Sequence, residues 1–185
     1  GYSLGELSAY ACAGMLKTED LLRLAALRGK VMSAAAKQAQ VMLAVLGLNA
    51  QQLELIARDS GAFLAIRNGA RHLIFGMPLD RLDPFREAVL AAGATRVVQL
   101  PVTIAAHTPL LAQAAADFRE ELEKVQVYPA VAPVLSGIST KRVYDREGML
   151  DALSGQIQQT IDWQGCQEAA LACGCRVFLE LGPGN

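Results

Sequence analysis

Gly1-Tyr2-Ser3-Leu4-Gly5 opens the chain and fits G-x-S-x-G, the sharp strand-to-helix turn that lifts a serine hydroxyl above a sheet. Glycines suit that turn because its backbone is strained and neighbouring segments pack closely against it. Glu6 and the small, apolar run Leu7-Ser8-Ala9-Tyr10-Ala11-Cys12-Ala13 follow at once, as expected of a buried helix. The positive end of such a helix faces the oxyanion formed when the serine attacks a carbonyl, and Leu4 offers a backbone N–H to it. Five-residue patterns with two glycines also arise by chance; the helix behind this one favours the elbow. The elbow implies a hydrolase-like α/β core, with the strand that leads into the serine expected upstream of Gly1.

Outward from the elbow, Thr18 is expected to cap a second helix, with Glu19 and Asp20 in its positive first turn. Its apolar stripe is Leu21, Leu24, Ala25, Val31 and Met32, and helical spacing puts Arg28 on the same stripe. A cation on an inward face needs a partner. Glu6 would serve as an internal ion pair, or a substrate carboxylate as a bidentate one, and spacing leaves both open.

From residue 41 the pattern changes. Val41–Leu48 reads as a strand, and Asn49 as the cap of a helix carrying Leu53, Ile56 and Ala57. Ala62–Ile66 and His72–Phe75 read as strands joined by the turn Arg67-Asn68-Gly69-Ala70. Asp83-Pro84 starts a helix that Gly93 ends, and Thr95–Leu100 is a further strand. The order βαββαβ is the ferredoxin-like arrangement, expected as an insert over 41–102.

The rest of the core is expected over 1–40 and 103–185. Thr108-Pro109 leads into a helix with Leu110, Leu111, Ala114, Ala115, Phe118 and Leu122 on one face. Ala130–Leu135 reads as a strand, Glu147–Gln159 as a helix, and Asp162 as the cap of another that Gly174 ends; Arg176–Leu181 reads as a final strand before the turn Gly182-Pro183-Gly184. Strands alternating with helices favour a mainly parallel sheet.

Composition narrows the function. Lys and Arg number 17 against 18 Asp and Glu, a net charge of −1 spread along the chain, which lacks the basic surplus of a nucleic-acid protein. Hydrophobic residues make up 52% and charged residues 19%, which excludes intrinsic disorder. No run approaches a membrane span, so no membrane partner is expected. Cys12, Cys166, Cys173 and Cys175 follow no zinc spacing, and reduced thiols with no metal in a cytoplasmic protein are the expected reading.

A serine needs a base to act as nucleophile at neutral pH. The chain has two histidines. His72 lies within a strand-like run and reads as a packing or surface residue. His107 follows the strand-like Pro101-Val102-Thr103-Ile104-Ala105-Ala106 and precedes a helix, the carboxyl-end loop where α/β proteins place their sites. His107 is therefore the expected base. No acid between serine and histidine stands out as the third partner, a role a backbone carbonyl would also fill.

Gly1-Tyr2-Ser3-Leu4-Gly5-Glu6 together with Arg28-Gly29-Lys30-Val31-Met32 resembles the malonyl-CoA:acyl carrier protein transacylase family. Leu100-Pro101-Val102 ahead of His107, the region from Gln156 to Trp163, and the closing Glu180-Leu181-Gly182-Pro183-Gly184 match it too, in order and along the whole chain. The resemblance implies Ser3 as acyl-accepting nucleophile, His107 as its base and Arg28 as partner of the malonyl carboxylate. It implies Gln156 as the residue whose main-chain carbonyl orients the histidine, and Leu4 as donor of one oxyanion N–H, the other donor coming from a loop expected upstream. The substrates implied are malonyl-CoA and the phosphopantetheine-type thiol of an acyl carrier protein, with no bound cofactor. Because those upstream parts are expected elsewhere, Gly1–Asn185 alone is expected not to catalyse.

Tyr2 departs from the family's fatty-acid-synthesis members, which usually carry His there. Gly-Tyr-Ser-x-Gly-Glu resembles instead the epsilon subunit of malonate decarboxylase, which charges that system's carrier protein. The Arg67–Gly76 loop is one residue shorter than the family's usual Asn-to-Gly spacing, so the resemblance assigns no role to Asn68. A serine esterase would share the elbow but normally has an Asp or Glu partner and no need of Arg28. An inert scaffold domain would have no need of Ser3, Arg28 and His107 together.

Overall fold

The computed structural model describes residues 1–179. Helix α1 (Leu4–Cys12) turns its Glu6, Leu7 and Tyr10 face inward, and α2 (Thr18–Ala35) buries Leu24, Arg28 and Met32, one residue per turn along a single stripe. Lys17 rather than Thr18 is the N-cap of α2: its backbone is extended, Thr18 is already helical, and no side chain caps the end.

Strand β1 (Gln40–Leu46), α3 (Ala50–Ser60), β2 (Phe63–Gly69), β3 (His72–Pro78), α4 (Leu82–Ala91) and β4 (Arg96–Gln99) follow in the order read from the sequence. Asn49 caps α3 through a reciprocal box with Gln52, and Gly61 ends it at φ 69°. Helix α4 starts earlier than Asp83-Pro84 implied. A 3₁₀ turn over Leu79–Arg81 runs into it, so Asp83 lies inside the first turn rather than at the cap.

Helix α5 (Ala112–Leu122), β5 (Val134–Leu135), β6 (Arg142–Val143), α6 (Arg146–Gln158), β7 (Ile161–Asp162) and α7 (Trp163–Ala172) complete the described chain. Asp145 and Asp162 cap α6 and α7 by accepting from the amides of Gly148 and Gly165.

The central sheet has the order β4-β1-β3-β2-β7 and is mostly antiparallel. Among the described residues the one parallel pair is β2 with β7, so the expectation of a mainly parallel sheet is corrected. Two strand readings fail for one reason: the backbone's polar groups find other partners. Over 101–106, Pro101 has no N–H to give, Ala105 donates to the Gln40 side chain and Ala106 donates to Ile104. Between Ala130 and Leu135, Pro133 interrupts the ladder and Val131 donates to Ala13, so only Val134–Leu135 pairs, antiparallel to β6. Residues 176–179 form no strand, and the rest of that expected strand and the turn after it lie outside the described residues.

One body of apolar packing joins α1, α2, α5 and α6 around Tyr10, Leu24, Phe118 and Leu153. A second fills the space between the sheet and α3 and α4, where Phe75 stacks at 5.0 Å on Phe85. The opposite face of the sheet, with Met42, Ile66 and Ile74, receives Tyr2, Ala106 and Trp163. Burying each such large side chain contributes about 1.5–3 kcal/mol. The elbow is thereby clamped where the helical layer meets the sheet. No helix among the described residues is long and apolar enough to cross a membrane.

Candidate active site

Ser3 is the N-cap of α1 and holds φ 56° and ψ −122°, a conformation that costs an L-residue energy. The turn is too tight for anything but glycine at its start, since a Cβ on Gly1 would lie 2.6 Å from the Gly5 carbonyl oxygen. Leu4 is the first helical residue, so its N–H is among those left without an intrahelical acceptor, while its side chain is half exposed.

His107 lies in the loop before α5, buried and at φ 64°. Its amide donates to the Ile157 carbonyl at 2.8 Å, and its Nδ1–H donates to the Gln156 carbonyl. With Nδ1 carrying the proton, Nε2 is left as acceptor and stands 2.9 Å from Ser3 Oγ. Burial, joined by the positive charge of Arg28, lowers the His107 pKa to about 4 against the pull of the Gln156 carbonyl. The imidazole is therefore neutral, and able to accept a proton, across the physiological range.

Arg28 reaches the same oxygen from α2, with Nη2 3.3 Å from Ser3 Oγ. It is buried and its Nε has no partner. Its charge is disfavoured by burial and supported by Glu6 from a distance, and no ion pair between the two forms among the described residues. Glu6 instead accepts from the Gly137 amide at 3.2 Å and from Gln156 Nε2 at 3.4 Å. Of the two readings of Arg28, the internal ion pair with Glu6 is thus not formed.

The structure brings Ser3, His107, Arg28 and Gln156 together and leaves His72 at the exposed start of β3. Sequence reasoning missed three residues that build the site. Gln40 holds the loop before His107 by accepting from Ala105 N at 2.8 Å, and Thr108 Oγ1 closes that loop on the Ala105 carbonyl at 2.6 Å. Gly76 lets the loop sit against β3, because a Cβ there would come within 2.9 Å of Ala105 Cβ and Thr108 Cγ2. Glu6, offered from the sequence as an ion-pair partner of Arg28, lies fully buried behind the serine. Tyr2 packs on Trp163 with ring centroids 5.0 Å apart.

A malonyl CoA-acyl carrier protein transacylase of Salmonella typhimurium is 30% identical over 190 residues, covering 100% of this chain and 62% of that protein. The chain thus spans less than two thirds of the relative's length. The structure of the malonyl CoA-acyl carrier protein transacylase from Coxiella burnetii superposes with a TM-score of 0.95 at 27% identity, over 100% of this chain and 60% of that one. A malonyl-transacylase in complex with a type II PKS acyl-carrier protein superposes with a TM-score of 0.87 at 25% identity, over 91% of this chain and 56% of that one. The family model described as the acyl transferase domain matches residues 1–184, and the chain belongs to that family.

Proposed function

We propose that the chain carries the reacting residues of an acyltransferase that moves a malonyl group from coenzyme A to an acyl carrier protein thiol. The observation that carries this reading is the pair of contacts on one oxygen: Ser3 Oγ lies 2.9 Å from His107 Nε2 and 3.3 Å from Arg28 Nη2. A base and a fixed cation beside one hydroxyl suit an acyl donor whose free carboxylate is one methylene away from the carbonyl under attack. The named activity of the relatives supports it, and the carrier-protein complex of one solved neighbour supports the acceptor.

The steps follow from those contacts. His107 Nε2 takes the Ser3 proton as Oγ attacks the thioester carbonyl, and the imidazolium shares its Nδ1–H with the Gln156 carbonyl. The Leu4 N–H and the N-terminal end of α1 meet the oxyanion. The intermediate collapses to a seryl malonyl ester, coenzyme A leaves with the proton from His107, and the carrier thiol reverses the sequence. Arg28 holds the malonyl carboxylate throughout, and an acyl group without one leaves the buried guanidinium unpaired.

The architecture is read as a hydrolase-like core carrying a ferredoxin-like insert over 41–102; the βαββαβ order and the strand order β4-β1-β3-β2 support the insert. Within the family, Tyr2 favours the carrier-charging subunit of malonate decarboxylase over fatty acid or polyketide synthesis. Exposure of the full-length protein to malonyl-CoA is expected to add one malonyl mass to the peptide containing Ser3, and none in Ser3→Ala. A malonyl adduct elsewhere, or none, overturns the reading.

A further inference from the structure

Glu6 is a fully buried carboxyl group that the steps above do not use. It projects from α1 one turn after the nucleophile, into the space between α1, α6 and the loop at Gly137. Its Oε2 accepts from the Gly137 amide at 3.2 Å and from the side-chain Nε2 of Gln156 at 3.4 Å. The main chain of Gln156 faces the other way, and its carbonyl holds His107 Nδ1. One residue thus connects the carboxyl group behind Ser3 with the imidazole in front of it. Around this connection the packing is close: a Cβ on Gly137 would lie 2.9 Å from Glu6 Oε2, and one on Gly155 would lie 2.8 Å from Ile138 Cδ1.

We propose that Glu6 is a positioning residue for the base: its carboxyl group ties the Gln156 side chain to the Gly137 loop and so fixes the carbonyl that orients His107. The inference rests on reading Ser3 and His107 as the reacting pair. A carboxyl group kept in a dry interior at the cost of desolvation needs a reason, and an apolar residue of similar size would fill the same space. Glu6 Oε1 and Gln156 Oε1 both lack hydrogen-bond partners, as does the hydroxyl of Tyr10. The side chains are therefore held by the contacts on Oε2 and not by a saturated network, which makes those contacts decisive for where the end of α6 sits. The groups that face Glu6 are Tyr10 on α1, Arg28 on α2, Cys166 on α7 and the Gly1 amino group. Burial outweighs the Gly137 bond and the positive charges and raises the Glu6 pKa to about 7.

The test uses the full-length protein and the low-field Nδ1–H proton resonance of His107, assigned against His72→Gln and recorded without substrate. Gln156→Met removes the side-chain tie but keeps the main-chain carbonyl and the volume; Glu6→Leu removes it from the other end; Glu6→Gln keeps an accepting oxygen. The expected result is a shifted or broadened His107 resonance in Gln156→Met and Glu6→Leu, restored in Glu6→Gln. Alongside it, kcat falls about tenfold or more while KM for malonyl-CoA stays within about twofold, because geometry and not binding is lost. Should Glu6→Leu not fold, Gln156→Met decides. A wild-type resonance and kcat in Gln156→Met overturn the proposal. A moved resonance in a protein whose Ser3 takes no malonyl group sinks the transfer reading and leaves the tie standing. Normal loading with an unmoved resonance sinks the tie alone.

Discussion

Ser3 Oγ and His107 Nε2 stand 2.9 Å apart across a sequence separation of 104 residues, and both residues hold a positive φ, 56° and 64°. Each conformation is unfavourable for an L-residue and is kept by its surroundings: the close packing of Gly1 on the Gly5 backbone for the serine, the bonds to Gln156 and Ile157 for the histidine. The contact that joins the two is built from strain.

Replacing Ser3 by glycine should release that strain. Ser3→Gly is expected to be more stable than Ser3→Ala by about 1 kcal/mol in thermal or denaturant unfolding, with neither able to form an acyl adduct. Equal stability of the two variants would show that the elbow is not strained.

The two buried titratable groups of the site bend stability in opposite directions with pH. Glu6 titrates at about 7 when folded against 4.5 as its ordinary value, so the stability it contributes is present below about 4.5 and lost as pH rises through about 7. His107 titrates at about 4 when folded against 6.5, so its contribution is present above about 6.5 and lost as pH falls through about 4. Each change is worth about 3 kcal/mol. The stability of wild type relative to Glu6→Gln should therefore decline between pH 4.5 and 7, while that relative to His107→Gln should rise between pH 4 and 6.5. Urea unfolding across the range reads both slopes.

Arg28→Ala should change selectivity more than chemistry. Loading from malonyl-CoA is expected to fall on the order of tenfold or more relative to acetyl-CoA, because the buried guanidinium that pairs with the malonyl carboxylate is gone. Arg28→Lys should not restore the preference, since an ammonium group lacks the planar fork that meets a carboxylate at two points. Competition between the two thioesters, read by mass spectrometry on Ser3, checks both. An unchanged malonyl preference would exclude Arg28 as its source.

Gly76→Ala should act at a distance on the base. The added methyl group meets Ala105 Cβ and Thr108 Cγ2 at 2.9 Å, neither of them the end of a flexible chain, so the loop carrying His107 must move. A loss of about 1–3 kcal/mol in stability is expected, with kcat falling while KM for malonyl-CoA holds. Gln40→Ala should weaken the same loop by about 1–3 kcal/mol, by leaving the Ala105 amide buried without a partner. A wild-type kcat in both would mean the loop is held from elsewhere.

What the sequence determined by itself was local. Gly1, Ser3 and Gly5 within five residues specify an elbow, and in the structure Gly1 is the glycine that the close approach to the Gly5 backbone requires. Asn49 and Asp162 each mark a helix start through bonds spanning three residues. The βαββαβ order follows from strands and helices of clear period. Tertiary structure decided which strands pair, and hence that the sheet is mostly antiparallel, because pairing depends on partners far along the chain. It decided that 101–106 is a loop, since the side chain of Gln40 takes the Ala105 amide across 65 residues. It decided too that Glu6 turns to Gly137 and Gln156 instead of pairing with Arg28. Helical spacing names the inward face of a helix, but which buried group meets which is settled only when the layers pack.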